Sequence, residues 1–278
     1  MQQLPLNNDD IMDDLYLVKL GGSVITDIDK EETAKRGEIS RLLKELYEAK
    51  TQKGFKLIIG HGGGSFPHVP AKKYKVNDGL TKENTIGSII THNSAQRLNA
   101  IVIEAGLEAG IPLFPFTASS FLAAKEGKTL SVYTEAIEEA LRRDFVPVVY
   151  GDVVIDSRKG VTIASTEMIF ESLASKLKPK VVMLGTDVDG VFDKDPKMDC
   201  SAKLIGRVNS ANINAIMELA GGSQKIDVTG GMKSKVYSLY TMVKGTGSKG
   251  YIVNATKPGL VKRVLLGEGK SGFTLVED

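Results

Sequence analysis

Short, continuous apolar runs that end in or near glycine constrain the fold of this chain more than any other feature. Such runs lack the alternation of apolar and polar residues, as is typical of strands buried on both faces of a parallel sheet. They occupy residues 15–20, 55–60, 145–151, 180–186 and 250–255. Segments with the apolar spacing of helices lie among them, at 38–52, 84–110, 134–143, 166–178, 209–220 and 233–244. The pattern predicts an α/β fold in which helices cover a largely parallel central sheet.

Composition excludes several classes of protein. With one cysteine and three histidines among 278 residues, the chain cannot form a disulfide framework or a Cys₄ or Cys₂His₂ zinc site. Its 36 basic residues are matched by 34 acidic ones, so charge gives no argument for nucleic-acid binding. The longest uncharged run, 109–124, is short for a membrane helix and contains two prolines. We expect a cytoplasmic protein without a membrane segment, whose residues 1–14 form a flexible tail rather than an export signal.

Glycine-rich or acidic turns follow several of the predicted strands. In open α/β sheets the ligand binds beyond the carboxyl ends of the strands, so these turns are interpreted together. The first turn is KLGGS, in which Lys19 is followed by Gly21, Gly22 and Ser23. A lysine at the end of an apolar strand is costly unless it meets a negative charge, and bare glycine amides can approach an anion closely. Taken alone, a strand-end lysine that reaches solvent is an equally good interpretation.

The second turn carries the strongest indication of a ligand. The run GHGGGSFPH (60–68) follows a buried strand directly, and three consecutive glycines offer backbone amides that suit a phosphate. His68 lies four residues beyond the last of these glycines and can hydrogen-bond the same phosphate. His61 is as easily a structural residue as a functional one. A third turn, at Gly151, is a weak indication when taken alone.

Two later turns complete the set. The run GTDVDGVFDKDP (185–196) is rich in aspartate but fails the calcium-loop pattern, because Val191 and Met198 stand where ligands belong. A nucleotide loop is the better interpretation. The run DVTGGMKSK (227–235) places two glycines, a hydroxyl and two lysines at a helix start, where amides, dipole and ammonium groups can bind polyphosphate.

Two nucleotide-binding motifs are excluded. The run GTGSKG (245–250) has the letters of the dinucleotide fingerprint, but a helix precedes it and a strand follows, which is the reverse order. It is predicted to be a helix-to-strand turn. The run 269–271 resembles the end of a P-loop, yet Val264 stands where the first glycine of that loop belongs.

Taken in order, KLGGS, GHGGGSFPH, YGD, GTDVDGVFDKDP and DVTGGMKSK resemble the amino acid kinase superfamily over residues 15 to about 255. Its members phosphorylate a carboxylate, carbamate or phosphate with ATP. The resemblance implies a three-layer αβα sandwich and a single kinase domain over 15–278. The acceptor-binding lobe would span about 15–177 and the ATP-binding lobe about 178–278. It also implies a homodimer, a small-molecule phosphate acceptor, and ATP with Mg²⁺ as cofactors, the metal bridging ATP oxygens without ligands from the protein alone.

The histidine of GGGSF-x-H is most similar to the isopentenyl phosphate kinase branch and the related fosfomycin kinases. The resemblance therefore implies ATP-dependent phosphorylation of isopentenyl phosphate to isopentenyl diphosphate in isoprenoid biosynthesis. A fosfomycin or phosphonate kinase, or another member of the family, is the alternative, and a non-catalytic nucleotide-binding sensor is a third interpretation. For a prenyl acceptor, Ile86, Ile89 and Ile90 are expected to form one wall of the pocket for the tail.

The resemblance also assigns roles to individual residues. Lys19 is expected at the transferred phosphoryl group, Lys235 at the β- and γ-phosphates, and His68 as a hydrogen-bond donor to the acceptor phosphate. The other expected acceptor residues are Gly63, Gly64 and Gly151, and the other expected ATP residues are Gly21, Gly22, Ser23, Asp187, Phe192, Gly230 and Gly231. An acceptor phosphate is already a nucleophile, so catalysis must come from alignment and charge neutralisation rather than from a general base.

Two positions depart from the family pattern. The family usually has a second lysine nine residues after the first, whereas this chain has Ile28 there and Lys30 two places later. Either Lys30 substitutes within a longer loop, or transition-state stabilisation is weaker. Glu167 stands where the family has an aspartate that orients the lysines, and it is the candidate for that role.

Overall fold

A computed structural model describes residues 14–194, 196, 198–219, 231–269 and 271–278. In these ranges the strands are β1 (Leu15–Leu20), β2 (Lys56–His61), β3 (Leu113–Phe116), β4 (Leu122–Lys125), β5 (Lys128–Val132), β6 (Val146–Tyr150), β7 (Asp152–Asp156), β8 (Gly160–Ala164), β9 (Val181–Thr186), β10 (Val191–Phe192), β11 (Leu204–Ile205), β12 (Arg207–Val208), β13 (Lys249–Asn254) and β14 (Phe273–Val276). The helices are α1 (Gly22–Ile25), α2 (Arg36–Lys53), α3 (His68–Lys73), α4 (Thr85–Glu108), α5 (Ala118–Phe121), α6 (Glu135–Arg142), α7 (Thr166–Leu177), α8 (Ile213–Leu219), α9 (Met232–Thr246) and α10 (Leu260–Leu266), with a 3₁₀ turn at Val76–Asp78.

The central sheet has eight strands in the order β12-β14-β13-β9-β1-β2-β6-β3. Neighbouring strands are parallel except β13 with β14. The five runs predicted as strands are β1, β2, β6, β9 and β13, which are adjacent at the middle of this sheet. Side chains of central strands are buried on both faces, which is why these strands were visible as continuous apolar runs.

Helices cover both faces of the sheet and create two hydrophobic cores. Leu15 and Leu17 of β1 join the core that includes residues of α7 and α9. Tyr16 and Val18, which alternate with them, join the core that includes residues of α2, α4 and α10. Alternate residues of one strand therefore face opposite helical layers. The predicted three-layer αβα sandwich with a largely parallel sheet is confirmed.

Local sequence explains where several helices begin and end. Gly54 follows α2 with a left-handed φ of 82°, and its amide donates to the Lys50 carbonyl at 2.8 Å. Gly247 ends α9 in the same way with a φ of 73°, and β13 begins two residues later, which confirms the predicted helix-to-strand turn. The helix predicted from residue 209 begins only at Ile213, because Asn209 and Asn212 hydrogen-bond each other in a preceding turn.

A second, four-stranded sheet in the order β5-β4-β7-β8 was not predicted. Its strand β7 starts immediately after the end of β6, with only Gly151 between them. The Asp156 carboxylate joins the two hairpins of this sheet by accepting hydrogen bonds from the amides of Gly127 at 2.7 Å and Lys159 at 2.9 Å. The sheet therefore stands beyond the carboxyl end of β6, beside the predicted ligand-binding edge.

The central sheet crosses the division expected between the two lobes near residues 177–178. Strand β1 pairs with β2 on one edge and with β9 on the other, so strands from both halves of the chain lie side by side. No helix in the described ranges is long and apolar enough to cross a membrane.

Candidate active site

The glycine turns after β1 and β2 touch each other through their backbones. A Cβ atom built on Gly22 would lie 2.5 Å from the amide nitrogen of Gly64, and one built on Gly62 would lie 2.8 Å from the nitrogen of Gly22. Any side chain at these positions would force the turns apart. The Gly21 amide donates to the carbonyl of Gly185, at the end of β9, at 2.9 Å. Three of the predicted ligand-binding turns thus form one continuous edge.

Lys19 is buried in β1 and ion-paired. Only 7% of the residue is exposed, and its Nζ donates to the Glu167 carboxylate in the first turn of α7. The Ser165 hydroxyl caps that helix by accepting from the Met168 amide at 3.1 Å. Burial lowers the pKa of the Lys19 ammonium, although the charge and hydrogen bond of Glu167 oppose the shift. The structure thus brings together Lys19 and Glu167, which are 148 positions apart.

Lys235 lies in the first turn of α9, within electrostatic range of Lys19 and Glu167. Its amide donates to the Gly231 carbonyl at 3.3 Å, at the start of the helix. The Lys235 charge helps to lower the pKa of Lys19. Burial alone would raise the pKa of the Glu167 carboxyl, but the charge and hydrogen bond of Lys19, with a smaller contribution from Lys235, hold it below its usual value. Glu167 thus contacts Lys19 directly, and Lys235 in α9 lies close enough for its charge to act on both groups. Gly230, expected beside them, lies outside the described residues.

His68 is the first residue of α3 and lies beside the glycine turn. A Cβ atom built on Gly63 would be 3.7 Å from the His68 Nε2 atom, so the exposed imidazole stands over this glycine. Gly64 has a φ of 54°, and a Cβ there would be 2.0 Å from the Thr26 hydroxyl oxygen. The half-buried Gly151 joins this group from the end of β6, and its amide donates to the His61 carbonyl at 3.3 Å.

His61 has a structural role in this arrangement. It is 1% exposed and stacks on Tyr150, with ring centroids 5.3 Å apart. Its ring nitrogens lie 3.2 Å from the Gly62 carbonyl and 3.3 Å from the Asn99 side-chain oxygen. Burial lowers the pKa of His61 to about 4, so the imidazole is neutral at physiological pH.

The turn after β9 is hydrogen-bonded to the end of β13. Asp187 is exposed directly after β9, and the half-buried Phe192 lies in the short strand β10. Asp189, which sequence reasoning did not single out, accepts from the Asn254 amide at 2.8 Å and from the Lys257 ammonium at 2.7 Å. These hydrogen bonds hold the acidic turn beside the two glycine turns of the first half.

Lys30 points to solvent in the structure, whereas Lys35, which sequence reasoning missed, lies against helix α1. Lys30 has a 71% exposed side chain, and its Nζ lies 3.4 Å from the Asp27 carboxylate. Lys35 instead donates from Nζ to the carbonyl of Ser23, a half-buried residue of α1, at 3.0 Å. The loop returns Lys35 to this place through a bridge between Thr26 and Ala34. A lysine that arrives by such a fold-back has no characteristic spacing in the sequence.

The three isoleucines expected at the acceptor tail lie on α4. Ile86, Ile89 and Ile90 are 66%, 59% and 38% exposed. A separate cavity of about 910 Å³ opens between β5 and the helices α7 and α9, and Glu167 and Glu171 are among its lining residues. Within the described ranges, no cluster of three His, Cys, Asp or Glu side chains could hold a metal ion.

Comparison with known proteins defines the class to which this site belongs. The model of the amino acid kinase family matches residues 14–254. The chain belongs to this family of phosphate-transferring enzymes. Within it, the chain is similar to isopentenyl phosphate kinases, which confirms the resemblance found in the turns.

Three relatives illustrate this similarity. The isopentenyl phosphate kinase of Methanothermobacter thermautotrophicus is 36% identical over 93% of this chain and 97% of its own length. That of Methanocaldococcus jannaschii is 36% identical over 91% and 96%. A solved isopentenyl phosphate kinase structure superimposes with a TM-score of 0.78 at 32% identity, covering 94% of this chain and 99% of the other.

Proposed function

We propose that the protein transfers the γ-phosphoryl group of ATP to isopentenyl phosphate, forming isopentenyl diphosphate for isoprenoid biosynthesis. The observation that carries this proposal is the buried Lys19, held by Glu167 and within electrostatic range of Lys235, at the edge where the glycine turns and His68 lie. In the proposed site, the two lysines would face the transferred phosphoryl group, and the glycine amides would face the acceptor phosphate. Relatives named isopentenyl phosphate kinase, 36% identical over more than nine-tenths of the chain, support the choice of acceptor.

The proposed mechanism depends on charge and alignment. An oxygen of the acceptor phosphate attacks the γ-phosphorus of ATP, and the bond to the β-phosphate oxygen breaks, so ADP leaves. Lys19 and Lys235 neutralise charge on the transferred group, with Glu167 holding the Lys19 ammonium in place. Preorganised donors of this kind lower a barrier by about 3 kcal/mol each.

Other residues would hold the two substrates. We assign Gly63, Gly64, His68 and Gly151 to the acceptor phosphate. ATP would contact the first turn at Gly21, Gly22 and Ser23, and the second half at Asp187, Phe192, Gly230, Gly231 and Lys235. Residues 15–177 would then form the acceptor lobe and residues 178–278 the ATP lobe, with the reaction taking place where β1 and β9 lie side by side.

We include Mg²⁺ in the proposal as a companion of ATP. The described residues offer no cluster of carboxylates for it, and the Glu167 carboxylate is already paired with Lys19. Triphosphate oxygens would supply its ligands, as is common for this ion, and the metal would neutralise triphosphate charge.

We further propose a homodimer located in the cytoplasm, and light scattering during size-exclusion chromatography tests the oligomeric state.

The test of the proposed function is ATP consumption by the purified protein with Mg²⁺ and a panel of acceptors. The panel contains isopentenyl phosphate, dimethylallyl phosphate, fosfomycin, N-acetylglutamate and UMP. We expect turnover with isopentenyl phosphate well above that with the others. Preferred turnover of fosfomycin would indicate a phosphonate kinase instead, and ATP binding without turnover of any acceptor would indicate a sensor.

A further inference from the structure

A buried ion pair outside the proposed phosphoryl-transfer machinery joins helix α4 to the start of strand β7. Nδ1 of His92 donates to Oδ1 of Asp152 at 2.7 Å, and the Val153 amide donates to the same oxygen at 2.7 Å. The Asp152 side chain is 0% exposed and that of His92 is 29% exposed. The second carboxylate oxygen, Oδ2, is buried and has no hydrogen-bond partner within the described part of the chain.

The position of this pair relates it to the acceptor. Asp152 directly follows Gly151, which the proposed function assigns to the acceptor phosphate, and the same peptide segment joins β6 to β7. The Gly151 amide is already engaged with the His61 carbonyl at 3.3 Å. A shift of Asp152 would therefore move Gly151 and the edge of the second glycine turn together.

Helix α4 also contacts two other segments near Gly151, the loop after β1 and the end of β2. Arg97 donates to both carboxylate oxygens of Glu32, and the Glu32 amide donates to the carbonyl of Ser65 at 3.2 Å. Asn99, on the same helix, contacts the His61 ring at 3.3 Å. One helix thus contacts the loop after β1, the end of β2 and the start of β7.

The electrostatics distinguish His92 and Asp152 from an ordinary surface pair. Burial raises the pKa of the Asp152 carboxyl, and the hydrogen bond that His92 donates to Asp152 raises the pKa of the His92 imidazole. A carboxylate with no solvent contact needs a partner that is fixed in place, because an unpaired buried charge is strongly destabilising. His92 therefore stabilises the buried Asp152 carboxylate, together with the Val153 amide.

We propose that His92 and Asp152 form a positioning pair that fixes Gly151 at the acceptor site by tying it to α4. This inference rests on the proposed function. The pair lies on the acceptor side and has no described contact with the ATP turns. Its loss should therefore weaken acceptor binding and leave ATP binding intact, since misplacement of a binding group by a fraction of an ångström is enough to lower the affinity of a rigid site.

The test compares His92→Leu with His92→Asn in the full-length enzyme, with KM measured separately for isopentenyl phosphate and ATP. Leucine keeps the helix and removes the hydrogen bond, whereas the asparagine amide can donate from nearly the position of Nδ1. We expect His92→Leu to raise the KM for the acceptor by about tenfold with the KM for ATP unchanged. His92→Asn should recover most of that loss.

Two further variants separate positioning from general stability. Glu104 lies on α4, like His92, and forms an exposed ion pair with Arg36 of α2, 3.1 Å apart. Glu104→Gln removes this pair and should leave kcat and both KM values unchanged. Adding Asp152→Asn to His92→Leu should raise the KM for the acceptor no further. The first substitution already breaks the pair, so the effects of the two substitutions do not add.

Each outcome has a distinct meaning. A lower melting temperature for His92→Leu with an unchanged acceptor KM would overturn the proposal and leave a purely structural pair. Equal increases in both KM values would also overturn it. If the wild-type enzyme prefers another acceptor, the proposed function fails, and the same comparison with that acceptor still decides the role of the pair. Turnover of none would overturn both.

Discussion

Lys19 is held in a place where a lysine is costly without an anion. The residue is 7% exposed, and its ion pair with Glu167 offsets the loss of water. A pair of this kind leaves the ammonium fixed in direction. When an anionic phosphoryl group arrives, the lysine needs little reorganisation to meet it, which is how preorganised charge accelerates a reaction.

We expect Lys19→Ala and Lys235→Ala each to lower kcat by about 100-fold or more, because each removes a donor to the transferred group. Steady-state kinetics at saturating ATP and acceptor measures the change. Lys50→Ala is a matched control for Lys19, since Lys50 is also 7% exposed and pairs with Asp144 at 2.8 Å. The control should keep its turnover per folded molecule. Turnover near the wild-type value in a Lys19 or Lys235 variant would remove that lysine from the mechanism.

The exposed His68 is expected to act in binding rather than in transfer. We predict that His68→Ala raises the KM for the acceptor by about tenfold while kcat changes little, since one hydrogen bond to a charged group is lost. The same kinetic series measures both constants. An acceptor KM equal to that of the wild type would show that the imidazole over Gly63 has no role in binding.

Burial of His61 makes stability depend on pH. The folded protein keeps this imidazole neutral down to about pH 4, whereas the ordinary pKa of 6.5 applies in the unfolded chain. The unfolded state thus binds more protons between these values, so the free energy of unfolding falls as pH is lowered through this window, by about 3 kcal/mol. Urea unfolding of the wild type and His61→Gln at pH 7 and 4.5 tests this. An equally steep loss in the variant would contradict the assignment.

At the scale of elements, the contact between the two glycine turns explains why both must lack side chains. Gly22→Ala would place a methyl group 2.5 Å from the backbone nitrogen of Gly64. We expect kcat/KM to fall at least about tenfold, because the proposed ATP and acceptor turns are displaced together. Gly37→Ala is the control, since nothing lies within 4 Å of its added Cβ. It should keep full activity and stabilise α2 by about 0.5 kcal/mol, measured by denaturant unfolding.

The central elements of the fold could be predicted because their burial leaves a simple pattern. The five central strands and most long helices follow from apolar runs and helical spacing. The outer strands β3, β14 and β12 of the central sheet and the four-stranded sheet were missed, since strands of two to five residues give only a weak local pattern. Pairing along these edges is decided by distant partners rather than by local sequence.

In the candidate site too, contiguous motifs could be predicted from the sequence and long-range contacts could not. The glycine turns were evident because each is a contiguous motif after a strand. Lys35 and Asp189 were missed, because their roles depend on a loop that folds back and on partners 65 or more positions away. The pair of His92 and Asp152 spans 60 positions and likewise has no motif. Long-range contacts of this kind appear only when the chain is folded.

For the molecule as a whole, the continuous sheet predicts that the two proposed lobes unfold together. Strand β9 pairs with β1 along five residues and with β13 along six, so neither half can separate without exposing a central strand. We expect a single calorimetric transition with equal calorimetric and van't Hoff enthalpies. Two resolved transitions, or a stable fragment of residues 14–178, would show that the lobes are independent folding units.

The place of β1 at the middle of the sheet has a consequence for synthesis on the ribosome. Its second edge is completed by β9, which ends about 125 residues after β2. At about 5–20 residues per second, the nascent chain would present an unpaired apolar edge for roughly 6–25 s. Chaperones that bind extended apolar segments would have this interval in which to act. Lys235 emerges later still, so the enzyme gains its full set of charges only near the end of translation.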